Sequence, residues 1–209
     1  MHNNMIFFYK DTSNLDIFLI KKNIKKLLKR GLYIGRFQPF HKGHLYSLKW
    51  CNDRVDELIV AVGSADKSFE LRNPFTAGER IEIIRENITT EITEKRDKII
   101  PIPVPDVGVH LLWTRNIDLL VPRYNTVFTN DPFTSMLYKE RGIEIVHPDL
   151  INREYLSATE VRYRIASDKN WQELVPIPTI KLINEIGGLD RVKELYNLSK
   201  SHATIEYHH

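Results

Sequence analysis

Gly35–His44 reads GRFQPFHKGH. Upstream, Leu32-Tyr33-Ile34 has the character of a short buried strand; downstream, Leu45, Leu48 and Trp50 mark an apolar helix face. The stretch is therefore a strand end that turns through Phe-Gln-Pro-Phe into a helix opening on His41, Gly43 and His44. The H-x-G-H spacing sets both imidazoles on the same side of the first helical turn. That turn also carries backbone N–H groups without intrahelical partners and the positive end of the helix dipole, which together attract an anion. Gly43 has no Cβ, so a phosphate could approach the backbone closely. A bare HxGH also suits ordinary polar residues at a helix start. The strand, glycine-containing turn and helix around it favour a phosphate cradle, since open α/β sheets bind phosphates there. Two imidazole donors beside such a cradle suit a nucleoside triphosphate.

Outward from this turn, strand and helix signals alternate. Strands are predicted at 32–36, 57–63, 99–104, 125–129 and 143–147, and helices at 42–53, 77–90, 110–120, 132–141 and 157–167. This rhythm means a parallel sheet with helices on both faces. Thr76-Ala-Gly-Glu79 has capping-box spacing ahead of an apolar-periodic run, which fixes the start of the second helix. After Trp171 the chain turns helical again, with Pro176 and Pro178 at one helix start and Gly187-Gly188 separating it from the last. No internal repeat or low-complexity segment stands out, and His208 and His209 are given no role.

With 209 residues, of which 42% are hydrophobic, the chain can bury one full α/β core with a small appendage. No apolar stretch reaches membrane-span length, and a single cysteine, Cys51, leaves no disulfide framework and no thiolate metal site. Both fit a cytoplasmic protein. The formal charge of +3 is uneven. Residues 1–30 hold Lys10, Lys21, Lys22, Lys25, Lys26, Lys29 and Arg30 against Asp11 and Asp16, a balance of 7 − 2 = +5, so the remainder carries 3 − 5 = −2. A slightly acidic main domain is a poor nucleic-acid surface. Residues 1–30 are accordingly read as a basic extension, helical from about 14, and residues 31–209 as the main domain, with C-terminal helices from about 172. The extension suits a membrane-surface or acidic-partner helix, or a solvated appendage without function of its own.

A second motif, Ser157-Ala158-Thr159-Glu160-Val161-Arg162, opens the helix after the fifth strand. Ser157 and Glu160 stand at capping-box spacing, which alone could account for both. Thr159 adds a hydroxyl in the first turn, and Arg162 one turn on can fold back over an anion at the helix start.

GRFQPFHKGH followed far downstream by S-x-T-x-x-R resembles the HxGH nucleotidyltransferase superfamily. VGSADKSFELRNPFTAGER at 62–80, Trp113 after PIPVPD, and the NREYLSATEVR run at 152–162 are similar to archaeal nicotinamide-nucleotide adenylyltransferases, over roughly residues 30–195. The fold expected is a Rossmann-like, doubly wound, five-stranded parallel sheet of order 3-2-1-4-5 with C-terminal helices. The resemblance implies that His41, His44 and Arg162 are catalytic, and that Gly35, Arg36, Phe37, Gly43, Ser157 and Thr159 help bind ATP. It further implies that Arg72, Trp113 and His110 face nicotinamide mononucleotide, with Trp113 stacked on the cationic pyridine ring. Mg²⁺ would be held through the ATP phosphates rather than by protein ligands, and the protein would be a homo-oligomer. Related enzymes usually carry Asn at the place of His110, Gly at that of Ala158, and Gly-Asn at that of Asn130-Asp131.

The reaction expected is transfer of an adenylyl group from ATP to nicotinamide mononucleotide, giving NAD and pyrophosphate. Two alternatives stand beside it. One is a sister transferase acting on another phosphorylated acceptor, which would keep both helix-start motifs without needing Trp113 and Arg72. The other is a nucleotide sensor that binds ATP without catalysis.

Overall fold

The structure, a computed structural model, describes residues 28–149 and 155–206. Five parallel strands, β1 Arg30–Gly35, β2 Glu57–Val62, β3 Ile99–Pro103, β4 Thr126–Phe128 and β5 Glu144–Val146, form one sheet in the order β3-β2-β1-β4-β5. The strand order reverses direction between β1 and β4, so the switch point of this doubly wound sheet lies at the C-terminal end of β1, where GRFQPFHKGH begins.

The central strands carry the core. Leu58 to Val62 is a continuous apolar run with no exposed member, as expected of a parallel strand covered on both faces. Alternate residues divide between the two faces. Tyr33, Leu58, Val60, Val62 and Phe128 face α1 (Lys42–Asn52), α2 (Ala77–Glu91) and the C-terminal helices, whereas Leu32, Ile59, Ala61 and Val127 face α3 (His110–Leu120) and α4 (Pro132–Glu140). A one-residue slip would exchange these two sets, so the burial pattern pins the register.

The strands and helices fall within a residue or two of their predicted bounds, with β4 and β5 shorter than expected at three residues each. Most of the basic helix predicted over residues 14–30 lies outside the described residues. Its C-terminal end is not helical: Arg30 already belongs to β1, donating its backbone N–H to Asn125 and pairing its guanidinium with Glu57 on β2. Three C-terminal helices, α5 (Ala158–Ala166), α6 (Ile177–Glu185) and α7 (Gly188–Glu206), complete the described chain. Gly187, at φ 65°, supplies the left-handed turn between α6 and α7. Arg191 on α7 makes two bonds to the Glu79 carboxylate, at 2.7 and 2.9 Å, while Glu79 completes the capping box with Thr76 at the start of α2. The C-terminal helices are thereby tied to the loop-helix junction beside the switch point.

Candidate active site

The helix start at His41 is capped by its own two histidines. His41 Nδ1 accepts the backbone N–H of His44 at 3.3 Å, and His44 Nδ1 accepts that of His41 at 3.3 Å. This is a capping box built from imidazoles instead of hydroxyl and carboxylate. The rings stack with centroids 3.6 Å apart, and Phe37 and Phe40 lie against the His44 ring. Two consequences follow from the chemistry of imidazole. Since Nδ1 is the acceptor on each ring, the proton of the neutral form sits on Nε2, which assigns the tautomer. Burial also disfavours the imidazolium: it lowers His41 to about 4 and holds His44 well below the ordinary imidazole value, where the neighbouring His41 pushes it further down. The motif thus offers two neutral Nε2–H donors, side by side. Gly43 acquires a further reason here, because a Cβ would come within 3.0 Å of the His41 ring. The missing side chain makes room for the imidazole stack as well as for a ligand.

Gln38, buried in the turn, is where three sequence motifs meet. Its side-chain amide mimics a strand partner for Phe75, donating to the Phe75 carbonyl at 2.8 Å and accepting its N–H at 2.9 Å. Its backbone carbonyl accepts Nη1 of Arg162 at 2.7 Å. The HxGH turn, the NPFTAGER segment and the SATEVR helix start are therefore fixed to one residue. Arg162 also donates Nη2 to the Thr159 hydroxyl at 3.4 Å, and Ser157 caps α5 by accepting the Glu160 N–H at 3.1 Å. The capping box expected of Ser157 and Glu160 is only half made, because the Glu160 carboxylate turns to Arg164 at 2.7 Å. Burial lowers Arg162 to about 10, and the charges of Arg36 and Arg72 add to that shift. Arg36, Arg72 and Arg162 thus crowd one region with positive charge. Such crowding costs free energy in the empty protein and is relieved by a polyanion.

Beneath this region lies Arg80, fully buried. Its guanidinium donates to the carbonyls of Arg36 at 2.8 Å, Gly63 at 2.7 Å, Ser64 at 3.1 Å and Thr76 at 3.2 Å. It binds together the chain just past β1 and β2. Sequence reasoning did not single out either Gln38 or Arg80. The signal for Arg80 was its place on the buried stripe of α2, three and four residues before Ile83 and Ile84.

Two cavities flank the turn at the C-terminal edge of the sheet. One, of about 250 Å³, lies at the β1/β4 switch point and is walled by Gly43, His44, Ser47, Thr129 and Asp131. The other, of about 260 Å³, is walled by Trp113, Phe133, Leu137, Lys67 and Asp106. Trp113 is partly buried and packs on the α3–α4 face of the sheet, with its ring edge 3.9 Å from where a Cβ on Gly63 would stand. Arg72 is exposed in the loop after β2, and Arg36 is exposed just after β1. His110 opens α3, three residues before Trp113. The sequence-predicted residues are thus gathered at one edge, with Arg162 joined to the HxGH turn and Trp113 in a separate neighbouring cavity. Asn130 and Asp131 have structural work: Asn130 donates to the Pro148 carbonyl at 2.8 Å, and Asp131 caps α4 through the Thr134 N–H at 2.7 Å. Among the described residues no group of three or more His, Cys, Asp or Glu side chains is placed to hold a metal ion, and no helix is long and apolar enough to cross a membrane.

Residues 32–164 match the sequence profile of the family described as Cytidylyltransferase-like. The nicotinamide-nucleotide adenylyltransferase of Pyrococcus furiosus is 38% identical over 180 residues, covering 86% of this chain and 96% of its own. That of Saccharolobus solfataricus is 42% identical over 173 residues, covering 83% of this chain and 100% of its own. Among solved structures, a bifunctional NMN adenylyltransferase/ADP ribose pyrophosphatase from Francisella tularensis, complexed with AMP and a Mn ion, superimposes with a TM-score of 0.69 at 20% identity. It shares the fold over 87% of this chain, which spans about half the length (55%) of that protein. With its HxGH turn, its Arg162 helix start and relatives matched almost end to end, this chain belongs to the nicotinamide-nucleotide adenylyltransferases of the Cytidylyltransferase-like family.

Proposed function

We propose that the protein transfers the adenylyl group of ATP to the 5′-phosphate of nicotinamide mononucleotide, releasing pyrophosphate and forming NAD. An oxygen of the mononucleotide phosphate attacks the α-phosphorus of ATP, and the bond from that phosphorus to the bridging oxygen of the pyrophosphate breaks. The nucleophile is already an anion, so no side chain has to remove a proton. Alignment and stabilisation of developing charge then supply the catalysis.

The observation that carries this reading is the bond from Arg162 to the Gln38 carbonyl, which ties a guanidinium to the turn that leads into the two Nε2–H imidazoles. His41 and His44 donate to phosphate oxygens as neutral groups, a role that needs no protonation change during turnover. Arg162, with Arg36, takes the charge that builds on the departing pyrophosphate, and Ser157, Thr159 and the α1 N-terminus complete the phosphate cradle around Gly35, Phe37 and Gly43. Arg72 attends the acceptor phosphate, and Trp113 offers its face to the pyridinium in the second cavity. Mg²⁺ would be held through the ATP phosphates and would supply neutralisation of their charge.

We further read the protein as cytoplasmic and as a homo-oligomer. The latter is supported by the apolar residues that α3 leaves exposed, Leu111, Leu112 and Leu119, the last at 84%. The test of function is pyrophosphate release with ATP and Mg²⁺ from a panel of nicotinamide mononucleotide, its acid analogue and phosphopantetheine. Turnover of a pyridine mononucleotide alone is expected. Turnover of phosphopantetheine alone would establish a sister transferase, and ATP binding without any turnover would establish a sensor.

A further inference from the structure

The second cavity has an unusual polar rim. After β2 and β3 end, the two chains stay zipped: Ala65 N–H bonds the Val104 carbonyl at 3.0 Å, Asp106 N–H bonds Asp66 Oδ1 at 2.7 Å, and Lys67 Nζ lies 3.0 Å from Asp106 Oδ2. This clamp delivers Lys67 and Asp106 together into the wall of the cavity that Trp113 and Phe133 also line. Lys67 is the cation of that wall, and it is committed to Asp106, with Asp66 and Glu70 also near enough to favour its charged form. The buried Arg80 is a second cation close to Asp66 and Asp106, but its donors are taken up by backbone carbonyls.

Resting on the reading above, in which this cavity receives the pyridine ring, we propose that the Lys67–Asp106 pair selects the amide acceptor over its acid analogue. The two acceptors differ at one substituent on the ring: a neutral carboxamide or a carboxylate. A carboxylate entering this cavity meets a rim where Asp106, Asp66 and Glu70 outnumber the charges of Lys67 and the buried Arg80. Lys67 offsets only part of that repulsion, because its ammonium is shared among these carboxylates. A carboxamide has no net charge to repel, and it carries both donors and an acceptor for a wet, charged rim. Discrimination of this kind works by disfavouring the wrong partner more than by contacting the right one.

Two variants move the preference in opposite directions. In Asp106→Asn the negative charge is gone and Lys67 is released toward the cavity, so the ratio of kcat/KM for the acid over that for the amide should rise by roughly three- to tenfold, more at low salt. In Lys67→Met the negative charge is left uncompensated, so the same ratio should fall. The measurement is pyrophosphate release by the full-length chain with ATP and Mg²⁺, titrating nicotinamide mononucleotide and nicotinic acid mononucleotide separately at two salt concentrations. A mere loosening of the clamp would slow both acceptors alike and leave the ratio unmoved. An unmoved ratio in both variants, or a shift in the same direction in both, overturns the assignment while leaving the transferase intact. Absence of turnover of either acceptor by the unaltered chain overturns the transferase reading, and this assignment with it.

Discussion

Removal of the His44 imidazole tests the donor pair most directly, because chemistry and folding predict different costs that separate assays can read. In His44→Ala one Nε2–H donor disappears from the reacting phosphates. Loss of a single preorganised donor to developing charge costs about 10²–10³ in kcat, or roughly 3–4 kcal/mol. The same change strips the His41 N–H of its acceptor, worth about 1 kcal/mol, and removes the ring that stacks on His41 at 3.6 Å and leans on Phe37 at 4.8 Å. Those ring contacts add about 0.5–1.5 kcal/mol each. The stability loss should total about 2–4 kcal/mol, and for a chain of this size that lowers Tm by roughly 4–16 °C. The assay is therefore pyrophosphate release at a temperature well below both melting points, with Tm measured in parallel. A folded His44→Ala protein that retains kcat within fivefold of the wild type would refute the reasoning, since it would place the imidazole away from the transferred phosphorus whatever its structural value.

Three other perturbations are expected to behave as follows. Trp113→Ala should raise KM for the pyridine mononucleotide by roughly 2- to 30-fold, the equivalent of about 0.5–2 kcal/mol of cation–π attraction, while KM for ATP stays put; an equal rise for both substrates in steady-state kinetics would remove Trp113 from the acceptor site. Glu79→Gln breaks the charge pair with Arg191. Burial alone would raise the Glu79 carboxyl, but the bonds from Arg191 and Thr76 outweigh it and hold its pKa below the ordinary value of 4.5. Its contribution is thus present above about pH 4.5 and lost as the pH falls further, so urea unfolding at neutral pH should show a loss of about 1–2 kcal/mol with kcat unchanged. His41 is displaced from 6.5 to about 4. Between those values the unfolded chain takes up a proton that the folded one does not, so stability should drain away as pH drops from about 6.5 to about 4, by about 3 kcal/mol in all. His41→Gln should lessen the slope of that part of the urea-midpoint profile, the rest coming from His44, which burial also holds below its ordinary value, and an unchanged slope would mean the His41 imidazole titrates normally in the fold.

The order of strands and helices was legible because this sheet is buried on both faces, so apolar runs such as Leu58–Val62 carry an unmistakable signal and the intervening helices keep their own period. The helix starts at His41 and Ser157 were legible for a related reason: caps act locally and leave a short-range pattern. What escaped was long-range. No spacing announces that a glutamine amide will pair with Phe75, 37 residues away, or that an arginine on an apolar stripe will gather four carbonyls. The capping partner of Glu160 was misjudged because Arg164, one turn further along the same helix, competes for the carboxylate more strongly than a neutral N–H does. Gly43 was read as an opening for the ligand, but its nearest demand is made by the His41 ring itself.

The buried guanidinium of Arg80 has a bearing on how the enzyme should respond to its surroundings. Most attraction between a protein and a polyphosphate comes from side chains bathed in electrolyte, and it fades as ions accumulate around them. A cation sealed under the ends of β1 and β2, out of reach of counterions, keeps its field whatever the surrounding salt. On the proposed reading, part of the pull on the nucleotide phosphates is in this way built into the scaffold, and it should persist at salt concentrations high enough to silence Arg36 and Arg72.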